Sequence, residues 1–303
     1  MRYLLCVLGI LWGSYTWGQV FSEGILSSPE VDLYYRVYGE GAPLLVLNGG
    51  PGFPCHHFDA LAQELAVDRQ VILFDQRGTG FSQLRIEHDS MITVQKMVED
   101  IEHLRKHLKI GEWTVMGHSW GGMYAMAYLK EHGRRVKAMV LSHSGGITLE
   151  FADAIGANIR AKLNAEQIEQ LDYYTRHPSL EEAPIRRAEA MASAYVYNQK
   201  KVDQVIKGLT EGNPFRPKIN RLVWNDLRAQ QWDLRSAMQQ QTQPVLIIGG
   251  RQDILGDHTP HVIADAFPNS ELVMLNECAH YGWLDQPVLY FAAIEAFLEG
   301  LVH

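Results

Sequence analysis

The sequence predicts an α/β domain in which helices flank a mostly parallel central sheet and a helical segment is inserted late in the chain. Two observations predict this fold class. Short apolar runs ending in Gly, Asn, Asp or His alternate with segments of helical periodicity, and such runs are typical of strands buried on both faces of a parallel sheet. Between about residues 148 and 241 the alternation lapses, and helical periodicity continues without a clear strand. Strand–helix alternation implies right-handed crossovers with helices over the sheet.

The predicted elements follow one another in order. The first strand alternates polar and apolar residues, as a half-exposed strand does, and the later strands are continuous apolar runs. The strands are predicted at 31–38, 44–47, 71–74, 113–116, 136–141, 245–248 and 272–275. The helices between them are predicted at 58–66, 93–108, 123–131, 261–267 and 288–298. The resulting domain organisation is a signal peptide at 1–18, a core in two parts at 19–147 and 243–303, and a helical cap at 148–242.

The composition fits one large globular domain and excludes several classes of protein. The chain has 303 residues, of which 47% are hydrophobic and 20% charged, and its formal net charge is −8. These values exclude a disordered chain, and the lack of a long basic run argues against nucleic acid as a partner. No internal apolar stretch is long enough to span a bilayer, and three cysteines are too few for a disulfide scaffold.

The N-terminus predicts export. Residues 1–18 place one positive charge, Arg2, ahead of an apolar run, and small residues follow near Gly18. This is the order of a secretory signal peptide. A first core strand and a membrane anchor are the alternatives, but polar and small residues interrupt the run and leave it too short for a spanning helix. We therefore expect a periplasmic or secreted protein, cleaved near residues 18–19 and without a stable membrane span afterwards.

A turn between the strand at 113–116 and the next helix predicts a nucleophile. It reads Gly117-His118-Ser119-Trp120-Gly121, a Gly-x-Ser-x-Gly motif in the strand–turn–helix context that gives this motif its meaning. The glycines permit a turn that is too tight for side chains and that leaves the Ser119 hydroxyl exposed above the sheet. The N-terminus of the following helix favours developing negative charge. A buried structural serine is the alternative, which this context disfavours.

Two later strand ends supply a base and an acid. A serine hydroxyl is a weak nucleophile without a base, and the base needs an acid that orients it. Asp253 and His280 each follow an apolar run, so both are expected at the same sheet edge as Ser119. Asp257 is the rival acid, and His143, which ends a neighbouring strand, is the rival base.

A second glycine-rich loop predicts an oxyanion hole, since acyl transfer needs donors aimed at the developing oxyanion. The loop, residues 47–52, reads Leu-Asn-Gly-Gly-Pro-Gly and also follows a strand. Pro51 has no N–H, so the expected donors are the backbone N–H groups of Gly50 and of Trp120, just after the serine. A phosphate-cradling loop is the alternative, but the required glycine spacing and following lysine are missing.

A third motif, Asp-Gln-Arg-Gly-Thr-Gly-Phe-Ser at 75–82, is interpreted as a structural turn that closes the floor of the site. Asp75 or Arg77 would bond to backbone there. Direct participation in the chemistry is the alternative.

Together the three motifs resemble those of the proline iminopeptidase (prolyl aminopeptidase) family of α/β-hydrolases. That family combines a His-Gly-Gly-Pro-Gly loop, an Asp-Gln-Arg-Gly-x-Gly-x-Ser turn and a Gly-x-Ser-Trp-Gly-Gly elbow, and the matching segments here are 48–52, 75–82 and 117–122. The resemblance implies an α/β-hydrolase fold and a triad of Ser119, Asp253 and His280. It also implies that no metal or other cofactor is needed, and that the substrate is a peptide with an N-terminal proline or another small residue.

The sequence departs from the family pattern in two places. Asn48 stands where the family usually has His. The family also holds the substrate's free amine with carboxylates of the cap, and no Trp-Glu-type motif aligns here. Glu211 and Asp226 are the candidate carboxylates, and Trp224 is a candidate wall of the substrate pocket.

Three functions therefore stay open. The first is an exported aminopeptidase, and the second is a hydrolase of the same fold that acts on an ester, a lactone or a carbon–carbon bond. The third is a non-catalytic binding protein on a hydrolase scaffold, which an intact Ser-Asp-His set argues against. The fold cannot choose between the first two, and the sequence leaves the oligomeric state open.

The cysteines next to the predicted site have two interpretations. Cys55 follows the oxyanion loop and Cys278 precedes His280. The two could pair in an oxidising compartment, but two unrelated buried thiols are the expected arrangement. A metal site built from Cys55, His56 and His57, or from His258 and His261, has no supporting spacing.

Overall fold

A single mixed sheet organises the computed structural model, which describes residues 21–212 and 215–301. The predicted signal peptide at 1–18 lies outside the described residues. The strands are β1 (Phe21–Ser27), β2 (Val31–Tyr38), β3 (Ala42–Leu47), β4 (Arg69–Phe74), β5 (Gln83–Leu84), β6 (Trp113–His118), β7 (Val136–Ser142), β8 (Val245–Gly250) and β9 (Ser270–Leu275). Their order is β1-β2-β4-β3-β6-β7-β8-β9, with β5 paired to β2.

The sheet is parallel from β4 to β9 and antiparallel at the β1–β2 edge. β3 pairs in parallel with β4 and β6, and β7 pairs in parallel with β6 and β8. β2 pairs antiparallel with β1, β4 and β5. The predicted fold class is confirmed, and each predicted strand lies within two residues of its observed ends. The prediction missed β1 and β5, because β1 lies at an exposed edge with little apolar alternation and β5 has only two residues.

Helices cover both faces of the sheet. Successive residues of a strand point to opposite faces, and β3 shows the consequence: Leu45 and Leu47 belong to one apolar cluster, while Leu44 and Val46 belong to another. The first cluster includes residues of α2 (Val94–His107), α3 (Trp120–His132) and α10 (Thr259–Ala266). The second includes residues of α1 (Asp59–Leu65) and α12 (Pro287–Gly300), and the short α11 (Gly282–Asp285) precedes α12.

The segment between β7 and β8 is helical, as predicted. It contains α4 (Ala152–Arg160), α5 (Ala165–Arg176), α6 (Ala183–Met191), α7 (Val202–Thr210), α8 (Pro217–Ala229) and the short α9 (Arg235–Met238). Helices α6 and α8 each carry proline in the first turn, where its missing N–H costs no intrahelical bond. The ends of the segment meet where Leu234 N–H donates to the Ile147 carbonyl at 3.1 Å.

The inserted helices pack on the loop that follows β8. Ile159, Leu163 and Leu171 form a small apolar cluster with Ile254 and Leu255, which directly follow Asp253. The insertion therefore covers the carboxyl end of β8, where a predicted site residue lies. Within the described ranges, no helix is both long and apolar enough to cross a membrane.

Candidate active site

Ser119 lies on a sharp turn between β6 and α3. Its backbone has φ 56° and ψ −123°, a conformation that costs free energy for a residue with a side chain. A Cβ on Gly117 would lie 2.3 Å from the Gly121 carbonyl oxygen. A Cβ on Gly121 would lie 2.0 Å from the Leu47 carbonyl oxygen. The turn therefore requires both glycines, and it leaves Ser119 at the surface of a cavity.

Asp253 holds two histidines through its two carboxylate oxygens. Oδ1 lies 2.9 Å from His280 Nδ1, and Oδ2 lies 2.9 Å from His143 Nδ1. The N–H of Leu255 also donates to Oδ1 at 3.0 Å. Burial alone would favour the protonated acid, but the hydrogen bonds and positive potential of the two imidazoles outweigh it and hold the pKa of Asp253 below its usual range. The carboxylate therefore stays ionised in mildly acidic solution.

The two histidines that contact Asp253 have different surroundings. His280 lines the same cavity as Ser119, and its backbone N–H donates to the Tyr195 carbonyl at 2.9 Å. His143 is fully buried behind Asp253, and its Nε2 lies 3.9 Å from Cys278 Sγ. His143, the rival base, is thus placed where it contacts the acid and not the cavity. The rival acid, Asp257, is exposed and takes no part in this chain of hydrogen bonds.

The predicted oxyanion donors also face the cavity. Gly49, Gly50 and Trp120 all line it together with Ser119. Gly50 has φ 137°, a conformation open to glycine and strained for other residues. Trp120 is the first residue of α3, and the first N–H groups of a helix have no partner within the helix. Both backbone N–H groups therefore belong to segments suited to receive a developing negative charge.

Two side-chain amides hold the oxyanion loop against the elbow. Asn48 is 1% exposed, and its Nδ2 donates to the Gly49 and Phe53 carbonyls at 3.0 Å each. Gln76 Nε2 donates to the Asn48 carbonyl at 3.0 Å, and Gln76 Oε1 accepts from Trp120 Nε1 at 2.9 Å. Asn48 therefore closes the loop from within, and Gln76, which the sequence did not single out, ties the loop to the helix that follows Ser119.

The third motif is structural, as predicted. Asp75 Oδ1 accepts the N–H of Cys55 and Oδ2 accepts the N–H of Phe81, both at 2.7 Å. Arg77 forms a two-pronged ion pair with Asp100, with both N–O distances at 2.6 Å. The turn thus fixes the loops beneath the cavity.

The structure contains Cys55 and Cys278 as free, buried thiols, which favours the interpretation without a disulfide. Burial is the main reason that the pKa of each thiol lies above its usual value. Among the described residues, no group of three or more His, Cys, Asp or Glu is arranged to hold a metal ion.

The structure does not bring the two predicted carboxylates of the insertion to the cavity. Asp226 accepts the N–H of Val94 at 2.8 Å, at the first turn of α2. It therefore satisfies a helix terminus. Glu211 is exposed, and its nearest cation is Lys207 at 3.8 Å. Trp224, in contrast, does line the cavity.

The cavity has a volume of about 720 Å³ and mostly apolar walls, and its charged lining residues were not predicted. Among the described residues that line it there is no Asp or Glu, but there are three arginines: Arg187, Arg221 and Arg228. Arg221, Trp224 and Arg228 share one face of α8, as residues three, four or seven apart do. That spacing was available in the sequence, but it predicts only a shared face and not what the face contacts.

Comparisons with known proteins identify the family of the chain. The model of the α/β hydrolase fold family matches residues 42–287. A proline iminopeptidase of Lactobacillus helveticus is 25% identical over 309 residues, which cover 91% of this chain and 97% of the relative. The predicted resemblance to proline iminopeptidases is thus confirmed.

Solved structures show the same fold. The crystal structure of a Mycobacterium smegmatis proline iminopeptidase is 23% identical, with a TM-score of 0.71 over 92% of this chain and 98% of that one. A thermophilic esterase from Thermogutta terrifontis is 21% identical, with a TM-score of 0.69 over 93% and 98%. Since the family model spans most of its length, the chain belongs to the α/β hydrolase fold family, and like its relatives it is an enzyme.

Proposed function

We propose that the protein is a serine hydrolase in which Ser119 forms an acyl-enzyme, His280 acts as the general base and Asp253 orients His280. The observation that carries the proposal is the 2.9 Å hydrogen bond that His280 Nδ1 donates to Asp253 Oδ1, beside the cavity that His280 and Ser119 both line. This bond leaves Nε2 of His280 free to accept a proton and fixes the ring that will carry the resulting charge.

The proposed reaction has two matched halves. His280 Nε2 takes the proton from Ser119 Oγ as Oγ bonds to the substrate carbonyl carbon, and the carbonyl oxygen moves toward the N–H groups of Gly50 and Trp120. The imidazolium of His280 then gives its proton to the leaving group as the scissile bond breaks. In the second half, His280 takes a proton from water as the water oxygen bonds to the acyl carbon. The bond to Ser119 Oγ then breaks, Oγ regains a proton from His280, and the acid is released. Among the described residues Ser119 Oγ makes no hydrogen bond to His280, and such bonds often tighten only when substrate binds.

For the substrate, we propose a peptide from which the enzyme releases N-terminal proline or another small residue. The support comes from the relatives: proteins named proline iminopeptidase match 91% of this chain at 25% identity. The three motifs that carry the resemblance are also those that hold Ser119, the oxyanion loop and the turn beneath them.

A second candidate is supported by the cavity itself. A free amine is held best by a carboxylate, and none of the described residues that line the cavity is Asp or Glu. An ester, lactone or carbon–carbon bond hydrolase needs no such partner. Fold likeness does not choose between these candidates.

Four substrates separate the two candidates. We would measure turnover of proline β-naphthylamide, alanine β-naphthylamide, N-acetyl-proline β-naphthylamide and p-nitrophenyl acetate by the purified protein. An aminopeptidase releases naphthylamine from the free-amine proline compound and refuses the acetylated one. Release from p-nitrophenyl acetate alone supports the second candidate. Turnover that survives unchanged in Ser119→Ala would contradict the serine mechanism itself.

We further propose that the protein is exported, on the strength of the charge-then-apolar order of residues 1–18. N-terminal sequencing of the protein made in its native host is expected to begin near Gln19. A chain that retains Met1 and stays with the cytoplasmic fraction would contradict export.

A further inference from the structure

Arg187 differs from the arginine beside it in what surrounds it. Arg186 is exposed on α6, and its Nη1 pairs with Glu189 Oε2 at 2.9 Å. Arg187 lines the cavity, and its Nε is buried without a hydrogen-bond partner among the described residues. A buried donor without a partner costs free energy, so the position of Arg187 calls for a reason beyond stability.

The surroundings of Arg187 lack compensating negative charge. None of the described residues lining the cavity is acidic, and no carboxylate oxygen of the described residues lies within ion-pair distance of Arg187. Arg221 and Arg228 add two more cations to the same walls. Much of the remaining lining is aromatic or aliphatic, including Phe53, Phe151, Ile155 and Met191. The cavity thus combines an apolar interior with positive charge.

Arg187 lines the same cavity as the proposed catalytic base. The walls of this cavity also include Tyr195, His280 and Ser119. The Tyr195 ring centroid lies 5.6 Å from that of His280. A group bound by Arg187 would therefore lie in the same chamber as the bond that Ser119 attacks.

We propose that the cavity selects substrates with an apolar body and a carboxylate that is not part of the scissile bond, and that Arg187 binds this carboxylate. A guanidinium presents paired N–H donors that match the two oxygens of a carboxylate. The inference rests on the proposed serine hydrolase and names its substrate class. The carboxylate has two possible sources: the free acid end of a half-ester, or the C-terminus of a short peptide.

The first arm of the test compares two esters that differ only in charge. 4-Nitrophenyl hydrogen suberate ends in a carboxylate, and methyl 4-nitrophenyl suberate ends in a neutral ester. The wild-type protein is expected to prefer the acid by about tenfold or more in kcat/KM, since a charge-assisted bond contributes at least that much. Arg187→Gln removes the preference, Arg187→Lys retains part of it, and the matched control Arg186→Gln retains all of it.

A second arm identifies the source of the carboxylate. Prolyl-leucine and prolyl-leucinamide share a free amine and differ in the C-terminal carboxylate. If peptides are the source, the dipeptide acid is cleaved about tenfold faster than the amide, and Arg187→Gln abolishes the difference. If half-esters are the source, only the suberate pair shows the Arg187-dependent preference.

A third arm separates failure of this inference from failure of the proposed chemistry. Binding of monomethyl suberate to the Ser119→Ala protein, measured by titration calorimetry, needs no turnover. We expect Arg187→Gln in that background to weaken binding about tenfold or more, with Arg186→Gln as the control. If binding depends on Arg187 but the wild-type protein hydrolyses none of the substrates, the hydrolase proposal alone is overturned. Equal turnover of both suberate esters, or a preference that persists in Arg187→Gln, would overturn the carboxylate site alone.

Discussion

The carboxyl edge of the sheet and the helical insertion hold their functional side chains in different ways. At the sheet edge, Asp253 and His280 are each 3% exposed at the side chain and bonded to one another, and backbone geometry fixes Ser119. In the insertion, Arg221 and Arg228 are exposed and Arg187 lacks a carboxylate partner among the described residues. Under the proposed function, the core presets the chemistry and the insertion selects the substrate. Four predictions test this division.

The largest effect is expected at Ser119, the proposed nucleophile. Ser119→Ala should lower kcat/KM by about 10⁴-fold or more, as removal of a triad member does elsewhere, on any substrate that the wild-type protein cleaves. The measurement is steady-state turnover, with labelling by a fluorophosphonate probe as a second readout. Unchanged circular dichroism serves as the control for folding. Residual labelling of the variant would indicate a different nucleophile.

Substitution of the two histidines that contact Asp253 should lower kcat by very different factors. His280→Asn removes the proposed base and should cost about 10⁴-fold in kcat. His143→Asn removes only the contact that positions Asp253 Oδ2, and should cost about tenfold in kcat. It should also cost about 1–3 kcal/mol of unfolding free energy, because a buried carboxylate oxygen loses its partner. Equal losses in the two variants would make His143 part of the catalytic machinery.

Alanine in place of glycine should change the free energy of unfolding in opposite directions in the core and in the insertion. Gly121→Ala places a Cβ 2.0 Å from the Leu47 carbonyl oxygen and should lower the free energy of unfolding by about 3 kcal/mol or more. Gly156→Ala, in α4 of the insertion, meets no heavy atom within 4 Å and should raise stability by up to about 1 kcal/mol through helix propensity. Urea unfolding measures both changes. A tolerated Gly121→Ala would refute the close approach at the elbow.

The smallest effect concerns pH and His57, a histidine that lines the cavity. Burial, with the neighbouring His56, lowers the pKa of His57 to about 3. Below its unfolded pKa of about 6.5 the unfolded chain gains a proton that the folded chain does not, so stability falls as the pH decreases from about 6.5 toward 3. His57 contributes a loss of about 2–3 kcal/mol at pH 4.5.

Two histidine variants, compared by urea unfolding at several pH values, test this loss of stability. His57→Gln should flatten the dependence of the urea midpoint on pH between about 6.5 and 4.5. The variant His103→Gln, at an exposed position, is the control for the removal of one imidazole. Parallel slopes in all three proteins would show that His57 titrates normally.

Local features of the sequence were enough to predict the fold class and the residues of the proposed triad. Runs of apolar residues identify the parallel strands, and a polar residue that directly follows such a strand must lie at its carboxyl edge. Ser119 directly follows β6, and Asp253 and His280 lie three and five residues after β8 and β9, so the sequence was enough to expect all three at the same sheet edge. The need for Gly117 is equally local, because the clash that it avoids arises within the elbow, whereas Gly121 avoids a clash with the Leu47 carbonyl of β3.

The insertion shows what the sequence did not determine. Helical periodicity indicates which residues share a face, but the partner of that face depends on contacts between elements far apart in the chain. Asp226 therefore accepts a hydrogen bond from the N–H of Val94, 132 residues away. For the same reason Arg187 lines the cavity while Arg186 faces solvent.

The sequence by itself determined the α/β fold, the strained elbow and the strand-end residues, because each follows from backbone sterics and short-range periodicity. Only the tertiary structure decided that His280 and not His143 lines the cavity, that neither Glu211 nor Asp226 does, and which arginines line it. The physical reason is that burial and charge pairing depend on how distant elements pack, which the energetics of the whole fold select.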